Sequence, residues 1–158
     1  DRRVKGTEHV VEAVEQARAA GLDFDFVLIE GASHEDARRQ LSRADIIIDQ
    51  LHAGFYGAVS VEAMALGKTV MCFLRSQDLD GLPAAMKDAL PLLNVSVATL
   101  TEALVAVLRE PPEARDARGA RSRAFAETWH DPRRVAARTR ADYEAAAANP
   151  AVPLPRPA

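Results

Sequence analysis

Apolar positions recur at three and four residues between Thr7 and Ala20, through Val10, Val14 and Ala17 with Val11 and Ala13 beside them. That spacing predicts an amphipathic helix, stopped by Gly21. The pattern then changes to a short β-rich run, Phe24 to Ile29, ending at Glu30-Gly31, which reads as a buried strand. Ser33 is placed to cap a helix carrying Ala37 and Leu41. Three consecutive isoleucines, Ile46 to Ile48 between Asp45 and Asp49, predict a second buried strand. A loop from Gln50 to Gly57 leads into a helix from about Ala58 to Leu66, with Gly67 just past its end, and Thr69 to Phe73 reads as a third strand. Residues 74–92 carry Asp80-Gly81, Pro83 and Pro91 around a short helix from Ala84 to Ala89, and Asn94 to Val97 suits an edge strand. Helices are expected over Leu100 to Arg109, 113–129 and 132–148, with breaks at Pro111-Pro112 and His130-Asp131-Pro132. The Pro-rich tail, 149–158, is expected to be extended or disordered, leaving 1–148 as the folded unit.

Strands that are apolar at every position and alternate with helices point to a parallel sheet covered on both faces. The expected class is therefore α/β, Rossmann-like. Sheets of this kind bind ligands at the carboxyl ends of their strands, where helix N-termini offer unpaired N–H groups.

Composition narrows the partners. Twenty basic residues stand against 23 acidic ones, a formal charge of −3, which disfavours binding nucleic acid through bulk positive charge. The stretch 109–140 holds nine arginines and five acids, interspersed at helical spacing as on a salt-bridged solvent face. The single cysteine, Cys72, lies in an apolar stretch and reads as a buried thiol in a reducing compartment. No apolar run of transmembrane length and no signal-peptide core occur in the sequence, so a soluble chain is expected. His9, His34, His52 and His130 lack metal-ligand spacing, and Ser60 lacks a nucleophile-elbow context. Asp49 is an Asp at a strand end, as in a response-regulator receiver, but no acidic pair after an earlier strand accompanies it.

Two loops carry candidate chemistry. In Asp1 to Gly6, Arg2 and Lys5 precede a helix N-terminus; they suit a diphosphate or are solvated charges at a frayed chain start. In Gly54 to Glu62, Gly57 permits close backbone approach, and Glu62, about one turn into the helix, either accepts ribose hydroxyls or complements the helix dipole.

Three segments together resemble the donor-binding, C-terminal half of a retaining nucleotide-sugar glycosyltransferase with two Rossmann-like domains (a GT-B fold, group 1 or family 4-like). They are Val4-Lys5-Gly6-Thr7-Glu8, Ala44-Asp45-Ile46-Ile47-Ile48-Asp49, and Gly54-Phe55-Tyr56-Gly57 with Ser60 to Val70. Their order and spacing agree across residues 2 to about 73, and Trp129-His130-Asp131-Pro132 with the helix to Tyr143-Glu144 resembles the family's ending. The resemblance implies that Arg2 and Lys5 hold the donor diphosphate and assist its departure. It implies that Glu62 binds the ribose, that backbone amides around Gly57, Ala58 and Val59 contact phosphate, and that Glu30 lies near the nucleobase. It further implies transfer of a sugar from an NDP-sugar, UDP among the candidates, to an unidentified acceptor with retention. No metal or other cofactor is implied, because basic side chains and a helix dipole offset the diphosphate charge. The expected location is cytoplasmic, or peripheral at a membrane in a longer protein.

Departures from the family pattern accompany these matches. Relatives carry two glutamates separated by seven residues; the second matches Glu62, and Gly54 stands in place of the first. A non-catalytic nucleotide-binding or assembly module is the alternative this leaves open. The connection from Gly31 to Ala44 is too short for the extra strand and helix of many relatives. The family's first strand and acceptor-binding domain would precede Asp1, so the chain is expected to be a fragment, inactive alone, whose open strand edges pair with another chain by dimerisation or strand exchange.

Overall fold

The computed structural model describes residues 2–148. It is an α/β structure with a three-stranded parallel sheet flanked by helices. In chain order the elements are α1 (Arg2–Lys5), α2 (Thr7–Ala19), α3 (His34–Arg43), β1 (Ile46–Ile48), α4 (Ala58–Ala65), β2 (Thr69–Cys72), α5 (Ser76–Leu79), α6 (Ala84–Asp88), β3 (Leu93–Asn94), α7 (Leu100–Arg109), α8 (Pro112–Trp129) and α9 (Pro132–Ala148). The strands lie in the order β1-β2-β3, with Ile46 opposite Thr69 and Met71 opposite Leu93.

Alternation along the strands sends side chains to two separate cores. Ile47, Val70 and Cys72 join Leu41 of α3, Ala63 and Met64 of α4, Met86 of α6 and Phe125 of α8 on one face. Met71 joins Val10, Val14 and Ala17 of α2 and Leu100 and Leu104 of α7 on the other, with Ile46 and Ile48 packed against them. β2 is buried at every position, as the middle strand of a sheet covered twice should be. Burying a valine or leucine of this kind contributes roughly 1.5–3 kcal/mol.

Local signals explain the helix ends. Ser33 accepts a hydrogen bond from the Asp36 N–H, 3.1 Å, and so caps α3. After α4 the Lys68 N–H donates to Ala63 and the Gly67 N–H to Met64, with Gly67 at φ 72°, a Schellman ending that the glycine makes available. A Cβ on Gly119 of α8 would collide with the Gly67 carbonyl, so α8 gives up helix propensity at that position for close packing on the end of α4. Arg118 donates to both Glu110 carboxylate oxygens, each at 2.7 Å, which ties α8 to the end of α7 and holds the Glu110 carboxyl below its ordinary range.

Three expectations need correction. Residues 24–29 do not form a buried, hydrogen-bonded strand: Phe24, Phe26 and Ile29 pack inward, while Val27 is 63% and Leu28 41% exposed. Their backbone makes no hydrogen bond to another strand among the described residues, because no strand lies alongside. Arg2 to Lys5 is one helical turn, not a loop, and a single turn is too short to reveal itself by periodicity. The edge strand is Leu93–Asn94, not 94–97. Asn94 turns its side-chain amide onto the Leu74 N–H and C=O, at 2.9 and 3.0 Å, and a turn closed by Ser96 and Thr99 follows. The expectation for the tail falls outside the described residues.

Candidate functional site

The carboxyl end of β1 gathers most of the polar chemistry. Asp49 continues the ladder through its N–H to Met71, 2.9 Å, and its side chain is only 1% exposed. One carboxylate oxygen accepts from the Lys5 ammonium and the other from the Ser60 hydroxyl, at 2.6 Å. Ser60, itself wholly buried, lies in the first turn of α4. Asp49 thereby links three elements: the turn α1, the end of β1 and the start of α4. Lys5 remains 39% exposed, and an ammonium has three protons to donate, so its contact with Asp49 leaves donors free. The carboxylate fixes where that charge sits.

Backbone contacts hold the same arrangement. The Lys5 carbonyl accepts from the Leu51 N–H, 3.2 Å. Gly6, at φ 68°, has no room for a side chain, since a Cβ there would lie 2.9 Å from Leu51. The start of α2 is thus pressed onto the loop after β1, where His9 and His52 meet edge to face at 5.6 Å. Arg2, Arg3, Gly6, Glu8, His9 and His52 line an open cleft of about 560 Å³ beside it.

The loop 50–57 is pinned from several sides. Gln50 donates its side-chain N–H to the Phe55 carbonyl, and the Arg75 N–H reaches Gly54 O at 2.7 Å. Tyr56 stacks on Phe55 and its hydroxyl lies 3.1 Å from His130 Nε2. Burial pushes the Tyr56 phenol up to about 12 and, with a smaller contribution from the positive Arg138, lowers His130. Burial, then the Asp49 charge, raises the Cys72 thiol to about 11, so it is an inert core thiol at neutral pH. Gly57 precedes α4 in an extended conformation and supplies no side-chain cap. The first bond into α4 runs from the Val61 N–H to Gly57 O, so the N–H groups of Ala58, Val59 and Ser60 have no partner among the described residues. Three unpaired donors and the positive end of the helix thus adjoin the Asp49 anchor and the lysine it holds.

The residues singled out from sequence fall into three groups. Arg2 Nε pairs with Glu30 at 3.0 Å, both side chains about half exposed. Lys5 belongs to the Asp49 cluster, together with Gly57, Ala58 and Val59 through Ser60 and α4. Glu62, 40% exposed on the second turn of α4, has His34 Nε2 at 3.4 Å, at the first position of α3. No side-chain hydrogen bond or ion pair among the described residues joins one group to another. Asp49 and Ser60 were not anticipated as site residues. The sequence signal for Asp49 is its position, a carboxylate ending an isoleucine strand, but its partner lies 44 residues earlier. Among the described residues no group of three or more His, Cys, Asp or Glu side chains converges as a metal site would require. No helix among them is long and apolar enough to cross a membrane. Comparison of the chain with protein-family models, with curated proteins and with solved structures finds no match in any of the three.

Proposed function

We propose that the chain is the nucleotide-sugar binding domain of a glycosyltransferase, a Rossmann-like unit that binds an NDP-sugar donor whose sugar passes to an acceptor held by a further domain. One observation carries the reading: an uncapped α4 N-terminus next to a lysine that a buried aspartate holds at the end of β1. Such an arrangement suits an anion with several oxygens, and a diphosphate offers enough of them to use the amides and the ammonium together. In this reading Lys5 and Arg2 bind the diphosphate and stabilise the charge that develops on it as the sugar leaves. The Ala58 and Val59 amides, with Gly57 giving access, take phosphate oxygens, Glu62 takes the ribose hydroxyls, and Glu30 lies toward the base. Arg2 would exchange Glu30 for phosphate as the donor enters. Charge is balanced by side chains and the helix end, so no metal is required of the donor site. Closure by the acceptor-binding domain would exclude water from the reaction.

A second reading, a nucleotide-binding module without transfer activity, has its own support. The place of the first family glutamate is taken by Gly54 at φ 83°, and a Cβ there would lie 2.7 Å from Asp78 and 3.0 Å from Arg75. A side chain there would be strained by the left-handed backbone and would have to displace the ends of the Arg75 and Asp78 side chains.

Calorimetric titration with UDP, GDP, ADP and their sugar conjugates tests the proposal. One nucleotide is expected to bind, and Lys5→Ala and Glu62→Ala are each expected to weaken it by more than about 1 kcal/mol. Binding of a nucleotide that neither substitution affects would refute the assignment. Equal affinity for the nucleotide with and without its sugar, and no sugar transfer by a longer chain containing this one, would favour the second reading.

A further inference from the structure

The cleft beside α1 is lined by two histidines that the cluster around Asp49 does not use. His9 lies on the first turn of α2 and His52 in the loop after β1, and Arg2, Arg3, Gly6 and Glu8 complete the walls. Neither Lys5 nor any residue of α4 is among the lining residues, so the cleft is separate from the uncapped start of α4. Polar side chains nearby are bonded: Lys5 and Ser60 to Asp49, Gln50 to Phe55, Tyr56 to His130. The ring nitrogens of His9 and His52, by contrast, have no hydrogen-bond partner among the described residues.

Packing fixes where these two rings sit. A Cβ on Gly6 would lie 3.2 Å from His52 Nε2 as well as 2.9 Å from Leu51, so the imidazole rests against the bare glycine. The His9 N–H donates to Gly6 O, 3.0 Å, at the start of α2, and its ring meets that of His52 edge to face. The surroundings favour an anion. Arg2 and Arg3 outnumber Glu8 on the walls, and Gly6 gives α2 no side-chain cap, so the positive end of that helix adjoins the cleft. Arg2 Nε lies on Glu30, but a guanidinium carries further N–H donors. An imidazole donates from one nitrogen when neutral and from two when protonated, so it serves an anion in either state.

We propose that this cleft binds the phosphoryl group of a small phosphorylated molecule, with His9 and His52 donating to it beside the positive wall formed by Arg2 and Arg3. The donors come from α1, α2 and the loop after β1, which suits a tetrahedral oxyanion with three acceptor oxygens better than a planar carboxylate with two. A volume of about 560 Å³ is that of a small-molecule site, so the ligand has a body beyond its phosphate. Gly6 then matters for more than its backbone angle, because it leaves the space in which His52 stands. The inference assigns the cleft and not the start of α4, and it does not depend on the proposed function.

The test is an NMR titration of residues 1–158 with inorganic phosphate at fixed pH and ionic strength, read from the ring C–H signals of the histidines. The His9 and His52 signals are expected to shift saturably with one midpoint, while that of His130 stays still. His9→Phe and His52→Phe keep a ring for packing and remove its nitrogens, and each should raise the midpoint read at the remaining histidine at least about fivefold. No saturable shift, an equal shift on titration with chloride, or single variants with the parent's midpoint would overturn the proposal. Whichever of UDP, GDP and ADP binds is then added to saturation, and phosphate is still expected to move the two signals. Loss of that response would make the cleft part of the nucleotide's own site and overturn the separate assignment. A chain that binds no nucleotide yet shows the phosphate response would refute the proposed function and leave this inference standing.

Discussion

Asp49 offers the sharpest perturbation of the candidate site, because its two partners differ in burial. Asp49→Ala removes the acceptor of Ser60, whose hydroxyl is wholly buried, at a cost of about 1–3 kcal/mol for the orphaned donor. It also frees Lys5, but an ammonium 39% exposed can turn to water, so this part adds only about 1 kcal/mol. The sum is about 2–4 kcal/mol, which for a chain of this length is a fall in Tm of roughly 4–16 °C. Asp49→Asn keeps an acceptor for Ser60 and should cost about half as much. Lys5→Ala leaves the 1% exposed carboxylate with one hydroxyl only, and should cost about 2–4 kcal/mol, near the lower end of what breaking buried pairs costs. Removing both partners abolishes the stranded charge, so the double variant Lys5→Ala/Asp49→Ala should be less destabilised than the sum of the singles by at least about 1 kcal/mol. Urea unfolding of the four variants beside the parent measures all of this. Additivity within about 0.5 kcal/mol, or an Asp49→Asn variant as stable as the parent, would show that the carboxylate does not hold the lysine.

Two further outcomes follow from the packing. Gly119→Ala should lower stability by about 1–3 kcal/mol in thermal unfolding, despite alanine's better helix propensity, because its methyl group meets the Gly67 carbonyl; a more stable variant would mean that α8 is not pressed against the end of α4. His130 is held neutral by burial, its pKa lowered from 6.5, so the unfolded chain binds the extra proton first. The stability this contributes is complete above pH 6.5 and is lost as pH falls through the lowered folded value. Unfolding free energies at pH 7.5 and 5.5 should therefore differ more for the parent than for His130→Gln, and equal differences would dismiss His130 as a contributor.

The elements most legible in the sequence were those whose information is local. α2 declares itself by three-and-four spacing and by Gly21, α8 and α9 are set off by Pro111-Pro112 and His130-Asp131-Pro132, and Ser33 caps α3 as its side-chain chemistry requires. Residues 24–29 have the composition of a strand, but strand pairing depends on a neighbour supplied from elsewhere, and composition carries no information about that neighbour. The edge strand expected over 94–97 stops after Asn94, and a turn closed by Ser96 and Thr99 follows, a side-chain-to-backbone closure that strand composition does not reveal. In the site, Lys5, Gly57 and Glu62 could be picked out by residue type and by position near helix starts. The anchor could not, because Asp49 touches Lys5 and Ser60 across 44 and 11 residues, and only the closed fold brings those positions together.

Gly67 takes part in three structures at once: it ends α4, its carbonyl backs onto Gly119 of α8, and the strand β2 opens two residues later. A fluctuation that unwinds the last turn of α4 must lift that carbonyl, and with it the contact that seats α8 and the residue that starts the middle strand. These pieces are therefore coupled through Gly67. α2 and α7 pack on the opposite face of the same strands, against Met71 with Ile46 and Ile48. The boundary between the two faces runs through β2, and the Lys5–Asp49–Ser60 cluster lies across it at the strand ends, with its lysine on one side and its serine on the other. The cluster thereby joins the helices of the two faces beyond the end of the sheet, and a ligand bound to it would be felt by both.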